Sequence, residues 1–465
     1  MKLVKIFRKK MVPVILLPLV LVLGGLAQDE TNGAENCPEK DFDCKIKAYT
    51  EAIGKNPADY LPFYGRGRAY SELEKYPEAD ADFTRVIELK PDFLPAYSYR
   101  GFVFGQLKKY SEAVADFTKV IEFDRKNAYA YSQRGLANYY LANYDLAVYD
   151  LNQAARFNSK DPEIYINRGN SFYYLEKNKE AIRDYKKAIK LNPRSGEAYV
   201  DLGNIYFYLE KYDLALKYYD LSIRIEPSDS YNYRMRGEFF TYKNDYQKAI
   251  ADLNKAVELD PAEAENYHSR GEAHYYAEDY SAALKDFNKS IELTPREAKY
   301  YNSRGLVFYY LNRCDQAFEE YGKAIELDPK IGDAYSNRGN CYLEEEDRIN
   351  AEKDYSKGIE VDPKNATLYR FRAEYYLEIE EAEKAFRDLT VALGLSPKDQ
   401  TIHKTLGDYF FMVNNYKQAV KSYSQAIFLD GAYADAYWGR SLAFQALGKK
   451  DKADADLKKF NELSG

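Results

Sequence analysis

The chain is poor in the residues that metal sites and most active sites need. Its 465 residues include only three histidines, four cysteines and one tryptophan. No histidine lies near a cysteine in the sequence, and His268 and His274 are six residues apart, which is the wrong spacing for a shared helix face. A glycine-rich phosphate loop and a nucleophile spaced with a base are also missing. We therefore predict no metal, no cofactor and no enzymatic activity.

Positive charge is also in deficit. The chain has 67 lysines and arginines against 74 aspartates and glutamates, which gives a net charge of −7. Five of the basic residues lie within the first 27 residues, which contain no acid, so removal of that segment would leave a net charge of −12. Because phosphate recognition depends on patches of lysine and arginine, we predict that neither nucleic acid nor anionic lipid is a main partner.

The first 27 residues have the three-part form of a secretory signal peptide. Residues 1–10 are basic, residues 11–23 are apolar, and small residues follow at 24–27. We predict cleavage after Ala27 and an exported protein that is periplasmic or secreted. The alternative is an uncleaved anchor in the inner membrane with the rest of the chain facing outward, although Pro13 and Pro18 interrupt the apolar stretch. In that case the membrane would be contacted only through this N-terminal segment.

Two cysteines lie close together near the end of a lead-in that covers residues 28–43. Cys37 and Cys44 are seven residues apart, and in an oxidising compartment we predict that they form a disulfide that pins the start of the folded region. The alternative is two free thiols. Cys314 and Cys341 stand where the repeats described below have apolar or aromatic residues, and they are predicted to be packed thiols.

A period of 34 residues governs the rest of the chain. One place holds glycine in ten repeats and alanine or serine in two, at Gly67, Gly101, Gly135, Gly169, Gly203, Gly237, Gly271, Gly305, Gly339, Ala373, Gly407 and Ser441. Alanine follows thirteen residues later in all twelve repeats, from Ala79 to Ala453. The pattern predicts a helical hairpin in which a small residue on each helix lets the two backbones approach closely. We call the two helices of each hairpin A and B.

Aromatic residues and proline complete the pattern. A tyrosine usually stands four residues before the glycine place, as at Tyr97, and an aromatic residue often follows the alanine by four, as at Phe117. These positions have helical spacing and are predicted to fill the seam between helices A and B. Proline closes eight of the repeats, beginning with Pro91, because it cannot continue helix B.

These features together resemble the tetratricopeptide repeat family. The resemblance covers residues 60–465 as twelve repeats, and residues 44–59 resemble a partial repeat of the helix B type. It implies an all-α fold, a right-handed α-solenoid of antiparallel helical hairpins whose helices A line a concave groove. Tyrosine stands where the family usually has tryptophan.

An arginine next to the glycine place varies together with an acid sixteen residues later. Ten repeats have both residues and the other two lack both. The pairs include Arg270 with Asp286 and Arg304 with Glu320. Because the charge is lost on both sides at once, we predict a salt bridge from helix A to helix B inside each hairpin, with a structural rather than a catalytic role.

Tyrosine also occupies the place five residues after the glycine in six consecutive repeats. We call these residues the ladder tyrosines: Tyr140, Tyr174, Tyr208, Tyr242, Tyr276 and Tyr310. The flanking repeats have glutamate or glutamine at this place, so the strip has ends. The family resemblance implies that this place points into the groove, and tyrosine suits the binding of an extended or helical peptide. The alternative is that the rings pack between adjacent helices A.

The sequence thus predicts a non-catalytic scaffold, exported across a membrane, that binds protein or peptide partners in a tyrosine-rich groove. The alternative is a protein that binds cell-wall polysaccharide, because a row of tyrosines also suits stacking against sugar rings. Some relatives bind a C-terminal carboxylate with lysines and asparagines; Asn170, Asn204 and Asn340 occupy one of those places, but the lysines are absent. No polar helix covers the apolar end of the last repeat, which predicts weak self-association.

Overall fold

The computed structural model describes residues 37–464, and within them every regular element is an α-helix. The predicted signal peptide or anchor at residues 1–27, and the lead-in before Cys37, lie outside the described residues. The helices are α1 Phe42–Lys55, α2 Tyr60–Glu72, α3 Tyr76–Leu89, α4 Leu94–Gln106, α5 Tyr110–Phe123, α6 Ala128–Tyr140, α7 Tyr144–Phe157, α8 Pro162–Tyr174, α9 Asn178–Leu191, α10 Gly196–Tyr208, α11 Tyr212–Ile225, α12 Ser230–Tyr242, α13 Tyr246–Leu259, α14 Ala264–Tyr276, α15 Tyr280–Leu293, α16 Ala298–Tyr310, α17 Cys314–Leu327, α18 Gly332–Glu344, α19 Arg348–Val361, α20 Ala366–Glu378, α21 Ala382–Leu395, α22 Gln400–Met412, α23 Tyr416–Leu429, α24 Ala434–Ala446 and α25 Lys450–Ser464.

The chain divides into two compact units, one ending at Arg236 and the other beginning at Gly237. From α2 onward, even-numbered helices are helices A and odd-numbered helices are helices B. Within each unit a helix A packs against the helix B that follows it, as α6 does against α7 and α14 against α15. The predicted all-α class, an α-solenoid arrangement of antiparallel hairpins, is therefore confirmed. Within residues 37–464, no helix is both long enough and apolar enough to cross a membrane.

The glycine place sets the distance between helices A and B. A Cβ atom added at Gly101 would lie 3.0 Å from the ring of Phe117, and one added at Gly271 would lie 2.6 Å from the ring of Phe287. Both rings are almost fully buried. Since carbon atoms normally stay about 3.5–4.0 Å apart, a larger residue would force the hairpin open.

The tyrosine four residues before the glycine place has a role that the sequence pattern did not predict. The Tyr97 hydroxyl donates to the backbone carbonyl of Pro91 at 3.1 Å, and its ring lies under the guanidinium of Arg100, 5.8 Å from the centroid. The Tyr301 hydroxyl donates in the same way to the carbonyl of Pro295 at 3.0 Å. These rings therefore tie helix A to the turn that precedes it, while the helix B ring packs on the glycine.

The turn from helix A to helix B has one residue in the left-handed region. After α6 this residue is Ala142, with φ of 61°, and the N–H of Asn143 donates to the carbonyl of Asn138 at 2.9 Å. Such a hydrogen bond commonly ends a helix at a left-handed residue. Among the described turns, eleven have a residue other than glycine at this place, three of them asparagine, and Gly448 provides the glycine that such turns usually have.

Adjacent helices A contact one another as well as their B partners. In the first unit α6 contacts α8 and α8 contacts α10, and in the second unit α18 contacts α20 and α20 contacts α22. Helices A therefore form a continuous row within each unit, and their side chains line one surface of it. We call this surface the A face.

Candidate functional site

The arginine–acid pairs lie inside the hairpins. Arg270 Nε and Nη2 donate to Oδ2 and Oδ1 of Asp286 at 2.8 and 2.6 Å, and Asp286 is buried. Nine such pairs are formed within hairpins of the described chain. Two opposed charges with parallel hydrogen bonds fix the register of helix A on helix B.

Each arginine also has a third contact that the sequence analysis missed. Arg270 Nη1 donates to Asn254 Oδ1, on the preceding helix B, at 2.8 Å. The same contact, to threonine, asparagine or serine, accompanies eight of the nine pairs in the described chain. The arginine therefore joins three helices and links neighbouring hairpins. A polar residue recurs sixteen positions before the arginine, and this pattern could have predicted the third contact.

The pair Arg304–Glu320 is less complete. Arg304 Nη2 donates to Glu320 Oε1 at 2.6 Å, but Arg304 Nε and Glu320 Oε2 are buried without a hydrogen-bond partner in the described part of the chain. Glutamate is one methylene longer than aspartate, so its carboxylate does not meet both donors of the guanidinium fork here.

The cysteines form two separate contacts. Cys37 and Cys44 are joined by a disulfide, with 5.7 Å between their Cα atoms. Cys314 and Cys341 are free thiols that lie in one apolar cluster. Burial raises the pKa of the Cys341 thiol. Spacing in the sequence did not indicate that these two thiols meet.

The first unit contains three ladder tyrosines, of which Tyr174 is the most exposed, at 36 %. Tyr174 stacks on Tyr144 with 4.8 Å between ring centroids, and Tyr140 stacks on Tyr110 at the same distance. In both cases the partner opens the preceding helix B. One flat side of each ring is therefore covered by the preceding hairpin.

The tyrosine directly before a ladder tyrosine contacts the ladder tyrosine of the next repeat. Tyr139 contacts Tyr174 edge to face at 5.7 Å, and Tyr173 contacts Tyr208 in the same way at 5.7 Å. Burial is the largest cause that raises the pKa of Tyr139 and Tyr173, and the negative charge of Asp201 adds to it. The first unit thus has a connected row of rings on its A face with a carboxylate beside it.

The second unit has a similar arrangement around Tyr310, which is 52 % exposed. Tyr275 contacts Tyr310 at 5.6 Å, and Tyr280 stacks on it at 6.3 Å. Tyr242 and Tyr276 are only partly exposed. Tyr140, Tyr174 and Tyr310 therefore stack on tyrosines of the preceding helices B, and Tyr174 and Tyr310 also present a large part of their surface to solvent.

Two carboxyl groups on helices A have strongly raised pKa values. Burial, and then the negative charges of Glu197 and Asp161, raise the pKa of Glu163 to about 7. In the second unit burial raises the pKa of Glu272 to about 8, against the opposing effect of Lys299. Both groups therefore titrate near neutral pH.

The asparagines one residue after the glycine place are bonded inside the hairpin. Tyr185 donates its hydroxyl to Asn170 Oδ1 at 2.7 Å, and Tyr355 donates to Asn340 at 2.7 Å. Tyr219 with Asn204, and Tyr423 with Asp408, repeat the contact at 2.8 Å. These side-chain oxygens stabilise the hairpin.

His268 is packed among the side chains of neighbouring helices. It is buried, its Nε2 lies 2.9 Å from Ser303 Oγ, and its ring centroid lies 4.9 Å from that of Tyr300. In the described residues, no group of three histidine, cysteine, aspartate or glutamate side chains is placed to hold a metal ion.

Stacked hairpins of two helices, repeated with a fixed period, define this chain as a helical repeat protein. Sequence profiles described as "TPR repeat" match residues 169–207, 237–276 and 305–345. Profiles described as "Tetratricopeptide repeat" match residues 62–93, 95–127, 196–229, 264–297, 332–365 and 404–458. Together these ranges cover about two thirds of the chain. The chain belongs to the tetratricopeptide repeat family.

Among curated proteins, the chain is similar to Hsp70-Hsp90 organizing protein 2 of Arabidopsis thaliana, with 34 % identity over 71 residues. That match spans 15 % of this chain and 12 % of the relative. Among solved structures, it is similar to a chain of the APC/C hetero-tetramer Cut9-Hcn1, with 16 % identity, a TM-score of 0.49, and coverage of 90 % and 89 % of the two chains. It is also similar to yeast Tom70, with 18 % identity, a TM-score of 0.48, and coverage of 87 % of this chain and 92 % of Tom70.

Proposed function

We propose that this chain is a non-catalytic scaffold that binds peptides or proteins on its A face, at the ladder tyrosines. The observation that carries the proposal is the exposure of Tyr174 and Tyr310. Each of these rings is held by two or more other tyrosines, so little side-chain freedom remains to be lost on binding. Rigid aromatic rings with a hydroxyl edge are common at the centres of protein interfaces.

Membership of the tetratricopeptide repeat family supports a role in binding other proteins, because stacked hairpins offer extended surfaces. The Arabidopsis relative is named as an organizer of two other proteins, Hsp70 and Hsp90. Since the match covers 12 % of that relative, its name supports protein binding and not a particular partner.

The proposal includes export, to the periplasm or out of the cell. The basic and then apolar composition of residues 1–27 supports it, as does the Cys37–Cys44 disulfide, because disulfides persist in oxidising compartments. An uncleaved inner-membrane anchor that faces outward is the alternative. The intact mass of the protein from fractionated cells separates the two, since cleavage after Ala27 leaves a chain that begins at Gln28. Recovery only from the cytoplasm would contradict export.

Capture of partners from the envelope fraction tests the binding site. The tagged full chain is compared with the double variant Tyr174→Ala/Tyr310→Ala and with Tyr149→Ala, a control in helix B whose side chain is 57 % exposed. We expect the chain and the control to capture a protein that the double variant loses, while circular dichroism shows all three folded. Equal capture by all three would contradict binding on the A face. Release of the captured material by excess cell-wall polysaccharide would favour the glycan alternative.

A further inference from the structure

The ladder tyrosines of the first unit stand at one place on three consecutive helices A. Tyr140, Tyr174 and Tyr208 end α6, α8 and α10, and α8 contacts both of the other helices. Tyr139 contacts Tyr140 and Tyr174, with 5.4 and 5.7 Å between ring centroids. Tyr173 contacts Tyr174 and Tyr208 in the same way, at 5.6 and 5.7 Å. Neighbouring ladder rings are therefore at most about 11 Å apart, which agrees with the separation of about 8–10 Å between packed helices.

The connected row of rings is longer in the first unit than in the second. In the second unit Tyr275 contacts Tyr276 at 5.0 Å and Tyr310 at 5.6 Å, so two ladder rings are connected. Thr241 stands in the second unit where the first unit has the connecting tyrosines. The first unit therefore provides three ladder rings at regular spacing.

The strip that contains these rings carries no charged residue. In all six ladder repeats, the ladder place holds tyrosine and the place before it holds tyrosine, Phe207 or Thr241. An ionic group that leaves water for such a strip would find no opposite charge there, and burial of an unpaired charge is costly. The strip is therefore complementary to a ligand without charge.

The hydroxyl groups of the ladder tyrosines add a second requirement. Phenylalanine would provide a similar ring, and the chain contains 24 phenylalanines, but every ladder place holds tyrosine. A tyrosine hydroxyl can donate a hydrogen bond to a carbonyl oxygen. The ring of Tyr174 is 36 % exposed and is held by its stack on Tyr144, so it is presented to a ligand in a fixed position. A ligand that uses these donors must bring carbonyl groups that are not already hydrogen-bonded.

Three peptide conformations differ in their repeat distance and in their free carbonyls. One side of a β-strand repeats every two residues, or about 6.7 Å, which is shorter than the ladder spacing. Two turns of an α-helix, about 10.8 Å, match the spacing, but the helix bonds its carbonyls to its own N–H groups. A polyproline II helix repeats every three residues, or about 9.3 Å, and has no internal hydrogen bonds. Only the polyproline II helix meets both requirements.

We propose that the three ladder tyrosines of the first unit bind an uncharged, proline-rich peptide segment in the polyproline II conformation, with one proline against each ring. Seven residues, about 19 Å long, place every third residue on a ring. Proline has no N–H group, so the segment brings only carbonyls, which suit the tyrosine donors. Its backbone is already ordered, which lowers the entropy cost of binding. The proposal rests on the proposed function, since it specifies the peptide that the A face takes.

Fluorescence anisotropy with the full chain tests the conformation of the ligand. The probe is labelled decaproline, and the matched peptide is decaproline made of D-proline, which has the same composition and forms the mirror-image helix. We expect the L peptide to bind at least tenfold more tightly than the D peptide, because only one hand aligns the carbonyls with the tyrosine hydroxyls. Equal affinity would overturn the proposal. Tighter binding of an alanine-rich helical peptide of the same length would also overturn it.

Substitutions that keep the rings test the site. Tyr140→Phe/Tyr174→Phe/Tyr208→Phe removes the three hydroxyls, and we expect it to weaken the binding of L-decaproline at least fivefold. The control Tyr149→Phe/Tyr218→Phe, on helices α7 and α11, should change the affinity less than twofold. Circular dichroism checks the fold, and Tyr174→Phe alone, with at least a twofold loss expected, replaces the triple variant if that variant is unfolded. No loss, or equal loss in the ladder variant and the control, would overturn the proposal.

The capture experiment separates this proposal from the proposed function. We expect L-decaproline to release the protein that the chain captures through Tyr174 and Tyr310. Capture that depends on these two residues but persists in excess decaproline would overturn the proline preference and leave protein binding on the A face standing. Absence of decaproline binding at millimolar concentration would overturn the proline preference as well, and the capture experiment would then decide the proposed function by itself.

Discussion

Tyr321 is a fully buried tyrosine in helix B whose hydroxyl has no hydrogen-bond partner among the described residues. In four other hairpins the hydroxyl at this place donates to an asparagine or aspartate on helix A. Leu306 stands at that place in the hairpin of Tyr321 and offers no acceptor. A buried polar group without a partner costs about 1–3 kcal/mol, so this hairpin is less stable than its neighbours.

Removal of this hydroxyl should therefore stabilise the protein. We expect Tyr321→Phe to increase the free energy of unfolding by about 0.5–1.5 kcal/mol. The matched variant Tyr355→Phe should decrease it by about 1 kcal/mol, because Asn340 would lose its donor. Thermal melts followed by circular dichroism measure the direction of both stability changes. A lower melting temperature for Tyr321→Phe would show that its hydroxyl has a partner after all.

The pair Arg304–Glu320 leads to a second prediction, in which two substitutions change the free energy of unfolding in opposite directions. Glu320→Asp should restore two parallel hydrogen bonds and increase the free energy of unfolding by about 1 kcal/mol. Asp286→Glu, in the complete pair with Arg270, should decrease it by a similar amount, about 1 kcal/mol. Urea denaturation of the two variants beside the parent chain measures the change. If both substitutions shifted stability in the same direction, the side-chain length would not explain the difference between the pairs.

Sequence patterns predicted the residue-scale contacts only where two positions vary together. The loss of arginine and acid in the same two repeats predicted the pairing in the hairpin, because removal of one charge alone would leave a buried partner. The contact from Arg270 to Asn254 was missed, since threonine, asparagine and serine at that place look like ordinary surface residues. The role of Tyr97 was missed for a similar reason: its partner is a backbone carbonyl, which leaves no trace in the sequence.

At the scale of single elements, the turn between helices A and B contains the main local strain. Ala142 has φ of 61°, a conformation that costs a residue with a Cβ atom about 1–2 kcal/mol. Its side chain is exposed, so no packing compensates for this cost. The helix ends there because the N–H of Asn143 bonds back to the carbonyl of Asn138.

We expect Ala142→Gly to increase the free energy of unfolding by about 0.5–1 kcal/mol, since the relief of strain exceeds the extra chain entropy of glycine. The reverse change at an equivalent turn, Gly448→Ala, should decrease it by a similar amount, about 0.5–1 kcal/mol. Differential scanning calorimetry of both variants provides the comparison. Destabilisation by Ala142→Gly would mean that glycine's entropy outweighs the strain.

Helices and their pairing were largely predictable from the sequence, because a small residue at a fixed period constrains both helices of every hairpin. The positive φ at the turn was not, since eleven of the turns have alanine, asparagine or a charged residue there instead of glycine. The regular spacing of the repeats imposes the turn and overrides the preference of the residue.

For the whole molecule, carboxyl groups with raised pKa values make stability depend on pH. Folding raises the pKa of Glu163 from 4.5 to about 7, and that of Glu272, in the second unit, to about 8. Between the unfolded and folded pKa values the folded chain binds more protons than the unfolded chain. The stability that these groups contribute is therefore fully present below the unfolded pKa and is lost as the pH rises through the folded pKa.

We expect Glu163→Gln and Glu272→Gln each to raise the melting temperature at pH 8, by about 2–4 °C for a gain of 1 kcal/mol. The gain should be much smaller at pH 5, where the native carboxyl groups are already protonated. Melts of the parent chain and the variants across this range test it. A pH-independent difference would indicate a packing effect, and the raised pKa values would then not control stability.

Composition and net charge predict that nucleic acid and anionic lipid are not main partners, but they do not predict which acids are paired within the chain. The excess of acids lies in residues 237–465, which carry 41 aspartates and glutamates against 31 lysines and arginines, and the structure shows that Glu265 there is paired with Lys299. The ladder was visible in the sequence as an unbroken row of tyrosines. The unequal exposure of the ladder tyrosines was not visible in the sequence, because it depends on the rings of neighbouring helices B.

Site-specific photo-crosslinking tests the central claim most directly, namely that partners bind on the A face. Benzoylphenylalanine replaces Tyr174 in one version of the full chain and Tyr149, on helix B, in the other, and both are irradiated in the cells that produce them. We predict crosslinked protein from position 174 and none from position 149. Equal crosslinking from both positions, or crosslinking from position 149 alone, would contradict the account.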